Sequence, residues 1–234
     1  MSQNFNPERK QYSVVLLGDF NPAMFQPEWF SKNDIISPEE VDFARNQSTT
    51  CPIIITPQVT LFKTSQFSVR IEQKRFQVVA DKEPIIVLKD FILKTFERLS
   101  GYVITAFGFN FSAHYHVENN ETYHKIGDKL APKDYWGSLL DDEVSGLDRK
   151  SGLSGLEMKK TKKDDFGHIS VLLQPSTFVQ PGVFMNCNDH FNLPDDDSMA
   201  EIVIEKIEQV FDNSFEHMKT LQISVLSEVI KDGE

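Results

Sequence analysis

The stretch RFQVVADKEPIIVLKDFILKTFERL, from Arg75 to Leu99, decides the reading of the fold, because a strand pattern passes there into a helix pattern and because the pair recurs. RFQVV is β-branched and extended in character. Asp81 is placed to cap the helix and Pro84 to sit in its first turn, while Leu88, Phe91, Ile92, Thr95, Phe96 and Leu99 form one apolar stripe at spacings of three and four. A displacement of 115 positions lays Phe76 on Phe191, Asp81 on Asp196, Leu88 on Val203, Ile92 on Ile207 and Phe96 on Phe211 without a gap.

Working outward, each half shows a strand, a helical connection, a hairpin and a helix. The order predicts an internally duplicated α+β fold, with mainly antiparallel sheet and helices packed on one face. After a loose lead-in over residues 1–12, the first unit covers 13–101 and the second 102–234, the two forming one compact domain. Few aligned positions are identical, so convergence is the competing explanation: any hairpin followed by an amphipathic helix aligns loosely with another.

In the first unit, Ser13–Leu17 reads as a strand buried on both faces. Pro22 and Pro27 break the following segment into short helical turns, and a helix is expected with Ser37 as N-cap, Pro38 at its first position and Glu40 at its third. Residues 52–63 read as a strand interrupted at Pro57, and 67–72 alternate as a half-buried strand. Ser100–Gly101 ends the central helix.

The second unit opens on the longest strand candidate, 102–116. Parity sorts Val103, Thr105, Phe107, Phe109, Phe111 and Tyr115 onto an aromatic face that should meet helices. Gly108, Asn110 and Ser112 fall on the other face, where small residues admit another backbone, a neighbouring subunit or a ligand. A short helix is expected around 121–130, flexibility across 117–165, and a hairpin from HISVLLQP and VFMNCNDHFNL. The last helix, capped within Asp195–Ser198, should run to Ile230.

With 234 residues and 40% apolar content, the chain is long enough for one substantial core or two fused ones. Its net charge of −11 repels phosphate and argues against nucleic acid or anionic membrane as the principal partner. Two distant cysteines, Cys51 and Cys187, are not the pattern of a disulfide-stapled domain and point to a reduced cytoplasm. No run resembles a signal peptide or a membrane span.

His114, His116 and His124, with Glu118 and Glu121, form the densest set of metal-type donors. Imidazole and carboxylate suit zinc or iron, yet the spacing matches no established ligand motif, and a solvated strand end is the preferred reading over a metal site. Cys187 and His190 lie three apart in a strand and so face opposite sides, which excludes an easy thiolate–imidazole pair. The basic run Lys159, Lys160, Lys162, Lys163, near Arg149 and Lys150, ends at Asp164–Asp165 and suits a lysine-blunted sheet edge better than a nucleic-acid contact. Phosphate-cradling loops, a nucleophile elbow and H-E-x-x-H are missing from the sequence, and no cofactor is implied. Phe25, Trp29, Phe30, Tyr135 and Trp136 lie in connections, where core packing competes with a role as partner-binding anchors.

GDFNPAMFQPEWF (18–30), TPQVTLFKT (56–64), LAPKDYWGSLL (130–140) and NDHF (188–191) together resemble a group of bacterial hypothetical proteins of about this length, and the N-P-A-x-F-x-P-x-W-F element is specific to that group. TFERLSGYVITAFGFNF and the late NDHF are more distantly similar to a broader uncharacterised bacterial family of two-part layout. The resemblance implies a bacterial cytoplasmic protein and assigns no residue a role.

The function expected from the sequence is a non-catalytic interaction or assembly subunit, a homo-oligomer or a component of a larger complex, with bacterial stress or anti-phage defence as the setting. The alternative is a small-ligand or nucleotide-binding module using the crevice between the halves, with Gly108, Asn110 and Ser112 on its wall.

Overall fold

A computed structural model describes residues 5–46, 52–140, 152–163, 166–194 and 198–231. Asp195, Asp196, Asp197, Cys51, Arg149, Lys150, Asp164 and Asp165 lie outside the described residues. The chain is mixed α and β, with a nine-stranded antiparallel sheet and five α-helices among the described residues.

The strands are β1 (Arg9–Gly18), β2 (Ile54–Ile55), β3 (Val59–Lys63), β4 (Ser68–Glu72), β5 (Arg75–Ala80), β6 (Ile104–His116), β7 (Leu156–Thr161), β8 (Gly167–Pro175) and β9 (Gly182–Asn192). Their spatial order is β2-β3-β4-β5-β1-β6-β9-β8-β7. The helices are α1 (Pro27–Lys32), α2 (Pro38–Arg45), α3 (Ile86–Glu97), α4 (Asn120–Leu130) and α5 (Ala200–Ile230), with 3₁₀ turns at Pro22–Met24 and Lys133–Leu140.

The sheet centres on the β1–β6 pair. One line of register crosses its middle as Phe76, Leu16, Phe107 and Phe191, contributed by β5, β1, β6 and β9. Phe76 packs edge-on to Phe96 of α3 at 5.2 Å, and Phe109, one step along the same face of β6, meets Phe211 of α5 at 5.5 Å. Lys89 of α3 and Asp212 of α5 join the two helices by an ion pair of 2.8 Å. At 1.5 Å per residue the 31 residues of α5 span about 46 Å.

Several local expectations are corrected. The helix of the decisive stretch begins at Ile86, after a cis Glu83–Pro84 bond, so Pro84 precedes it and Asp81 does not cap it. Asp81 accepts from Gln11 Nε2 at 2.9 Å, and Glu83 from Lys10 Nζ and Tyr12 Oη at 2.8 and 2.7 Å: both carboxylates serve the sheet. Ser37 and Pro38 do open α2, but Glu40 accepts from the Ser65 amide at 2.7 Å rather than folding back on its own helix, so no capping box forms. The strand over 52–63 is split into β2 and β3 around Pro57, and the side chain of Thr56 accepts from the Val59 amide in the intervening turn. β1 is longer than 13–17 because Arg9–Tyr12 and Gly18 pair with β6, and Tyr12 also with β5.

Candidate functional site

The side of the sheet bearing Gly108, Asn110 and Ser112 is polar and half-buried. Asn188 Nδ2 of β9 donates to Asn110 Oδ1 at 2.7 Å, cross-linking the strands through side chains. A Cβ at Gly108 would lie 3.3 Å from the Asp189 carbonyl oxygen and 3.6 Å from His190 Nδ1. The close approach expected at this glycine is therefore made by β9 and the ring of His190. His190 also lies tilted against His168 of β8, with ring centroids 4.8 Å apart, and hydrogen-bonds Asn192 at 2.9 Å. Burial, followed by the charges of Lys159 and His190, lowers the His168 pKa.

The three histidines that the sequence offers as metal-type donors do not converge. His114 Nδ1 hydrogen-bonds Ser176 Oγ at 2.9 Å, and that oxygen already accepts from the amides of Phe178 and Val179. The serine hydrogen is thus directed at Nδ1, which holds His114 as a neutral acceptor. Burial, and then Arg9, lower its pKa accordingly. His116 is exposed at the end of β6, and His124 belongs to α4. Among the described residues no three His, Cys, Asp or Glu side chains form a metal-binding group.

His124 lines a cavity of about 440 Å³ between α4, the ends of β8 and β9, and residues 152–154. Tyr123, Asp128, Ser176 and Val183 contribute to its wall, which is mainly apolar with a few polar groups. The volume lies in the range of small-molecule sites. Nothing in the sequence points to this space, since it depends on how α4 rests against a distant hairpin.

On the helix-contacting side, Asp189 carries a buried polar cluster. Lys162 Nζ lies 2.7 Å from Asp189 Oδ1 and close over the ring of Phe191, while Ser214 Oγ of α5 donates to Asp189 Oδ2 at 2.7 Å. Cys187 faces α5, its thiol directed at the Met218 carbonyl at 3.8 Å, and burial pushes the thiol pKa up to about 11. Its alternation with His190 removes any nucleophile–base pairing. Gln222 of α5, fully buried, accepts from Tyr115 Oη at 2.8 Å and donates to the Phe111 carbonyl at 2.9 Å. Sequence reasoning misses Ser214 and Gln222 as partners, although both occupy stripe positions of α5, where a polar residue signals a polar acceptor or donor beneath.

The aromatic anchors separate sharply. Phe25 and Phe30 are fully buried, so neither is a surface anchor: the broken helical segment folds them onto Phe76, Phe62 and Phe91. Trp29 is half-buried against Phe25 and Phe30. Tyr135 and Trp136, in the 3₁₀ turn after α4, are 87% and 55% exposed.

No helix of the described residues is long and apolar enough to cross a membrane. No protein-family model matches the chain, and no curated protein matches it.

Proposed function

We propose that this chain is a non-catalytic assembly subunit that docks through the turn bearing Tyr135 and Trp136. The observation carrying the reading is their exposure, 87% and 55%, on adjacent residues. Tyr and Trp supply large amphipathic contact area with few rotatable bonds and dominate protein interfaces energetically. We infer further that the architecture is an internal duplication, one compact domain of two units with α3 and α5 on a common face. Two features support it: the order β3-β4-β5-β1 mirrors β7-β8-β9-β6, and the aligned residues Phe76 and Phe191 stand symmetrically about the Leu16–Phe107 pair.

Replacing Trp29 with Phe leaves Trp136 as the sole tryptophan. Its emission should shift to the blue as concentration rises or a partner is added, and a photo-cross-linker at position 135 should yield adducts in cells. A 26.8 kDa monomer at every concentration, with no adducts, would remove the reading.

The cavity of about 440 Å³ favours one second reading, a small-ligand module whose site lies under α4 rather than beside Gly108. A thermal-shift panel tests it; stabilisation that vanishes on His124→Ala would place the ligand there.

A further inference from the structure

The register assigns every strand residue to one of two sides. All ring contacts made by Phe91 and Phe96 of α3 and by Phe211 and Phe215 of α5 within the sheet fall on the side of Phe76, Phe109 and Tyr12. The strands carry five cations on the other side: Arg9, Lys63, Arg70, Arg75 and Lys159. Only Glu72 and Glu157 oppose them within the strands, with Asp81 just past the end of β5. Four of the six histidines, His114, His116, His168 and His190, share this side. One register line starts at Lys63, passes through Ser13, Asn110, Asn188 and Ser170, and ends at Lys159. On a chain of net charge −11 this is a locally basic, donor-rich face.

The complementary charge lies on α5. Glu201, Glu205, Glu208, Asp212 and Glu216 are all exposed and follow one another at spacings of four, three, four and four. They form one stripe, about 22 Å long at 1.5 Å per residue. Lys89 answers Asp212 and Lys219 answers Glu216, while the stripe continues through Glu208 and Glu205 to Glu201. Glu201 complements the dipole in the first turn of α5, whereas Glu205 and Glu208 stand beside like charges on successive turns, which repel one another.

We propose that the basic sheet face of one copy receives the acidic α5 stripe of a second copy, head to tail. The inference rests on the assembly reading and names the partner as the chain itself. Eight strands at about 4.8 Å separation put Lys63 and Lys159 roughly 34 Å apart, more than the length of the stripe, so one α5 covers part of the line and meets the cations toward one of its ends. Lysine and arginine heads are the groups that receive carboxylates; Ser13 and Ser170 between them are buried, Asn188 donates to Asn110, and Arg70 pairs with Glu72, so the lysines carry the recognition. Because the two surfaces differ, each added copy leaves one of each kind free, and association proceeds by addition instead of closing as a twofold dimer.

Sedimentation velocity on the full chain tests this, with two charge-reversed variants, Lys63→Glu/Lys159→Glu and Glu205→Lys/Glu208→Lys. All four side chains are exposed, and unchanged far-ultraviolet circular dichroism would show the variants to be folded. The parent should form species heavier than 26.8 kDa that dissolve as salt is raised. Each variant alone should associate at least about tenfold more weakly, and their equimolar mixture should recover association. Association indifferent to salt and to both variants, or a mixture that fails to recover, would overturn the inference. If association survives both variants but is lost in Tyr135→Ala/Trp136→Ala, the assembly reading stands and this one falls. A monomer that still cross-links a different protein through position 135 likewise keeps the assembly reading and rejects self-association through α5. Salt-sensitive retention of a thymidine oligonucleotide by a monomeric parent, lost in Lys63→Glu/Lys159→Glu, would assign the face to nucleic acid and also overturn it.

Discussion

At the scale of single residues, the most constrained positions are those that hold two strands at a fixed separation. Gly167 adopts φ +148°, and a Cβ there would collide with the His190 carbonyl oxygen of the neighbouring strand. Gly167→Ala should therefore cost about 2–3 kcal/mol, read as a lower urea midpoint; a loss below about 0.5 kcal/mol would mean that β8 shifts freely. Glu83 makes a different kind of link. The hydrogen bond from Lys10, then that from Tyr12, holds its pKa below the ordinary 4.5, against a smaller opposing effect of burial. A depressed carboxylate contributes stability above its unfolded pKa and loses it as pH falls through the folded value. Because the Glu83 side chain is 51% exposed, the effect at neutral pH should stay below about 1 kcal/mol. Glu83→Gln should flatten the acid limb of a stability–pH curve below pH 4.5. Neither position is legible in the sequence. The role of Gly167 follows from what β9 places opposite it, and Glu83 reads locally as part of a helix start, where a carboxylate has an adequate use.

Among the elements, α5 ties the most layers together, and its stripe shows how far periodicity carries. Val203, Ile207, Phe211, Phe215 and Met218 are all fully buried, as the apolar spacing requires. The stripe then passes through Gln222 to Leu226, also buried, where hydropathy alone would end it or shift it to Leu221. Gln222 belongs there because β6 and β9 present the Tyr115 hydroxyl and two carbonyls at that depth. Gln222→Ala should leave these groups unpaired and open a void, costing about 2–4 kcal/mol, whereas Gln209→Ala on the exposed side should stay within about 0.5 kcal/mol. Equal losses at the two positions would show that the contact between α5 and the sheet is not specified by this network. In α3, by contrast, the stripe is legible throughout because it holds only apolar residues and Thr95, which bonds within its own helix to the Phe91 carbonyl. The start of α3 is not, because the residues before Ile86 are recruited by β1.

For the molecule as a whole, the aromatic rings divide into two networks. Phe20, Phe25, Phe30, Phe62, Phe67, Phe76, Phe91 and Phe96 touch one another around α3, while Phe107, Phe109, Phe191, Phe211 and Phe215 do so around α5. Among the described residues no ring contact joins the two sets directly, although both belong to one buried core cluster. The recurrence over 115 positions is readable because it is a pattern of apolar spacing and needs no identity between the aligned residues. The central pairing of β1 with β6 is not readable, since it links residues as far apart as Arg9 and His114 and no local pattern fixes which strands meet. The division follows the two helices and is crossed at the unit boundary by tyrosines, since Tyr12 of β1 touches Phe111 and Phe215 and Tyr102 touches Phe20 and Phe25. If each helix keeps its own set of phenylalanines, energetic coupling should follow the same division. Phe30→Leu and Phe211→Leu should each cost about 1–2 kcal/mol, and the double variant should equal their sum within about 0.5 kcal/mol, as for sites without shared partners. Phe109→Leu with Phe211→Leu, whose rings are 5.5 Å apart, should instead depart from additivity by more than that. Denaturant titration of the six proteins in the two cycles, the shared parent and Phe211→Leu among them, decides the matter. Coupling between Phe30 and Phe211 as strong as that between Phe109 and Phe211 would mean one undivided core, and the two-unit account would lose its energetic content even with its strand order intact.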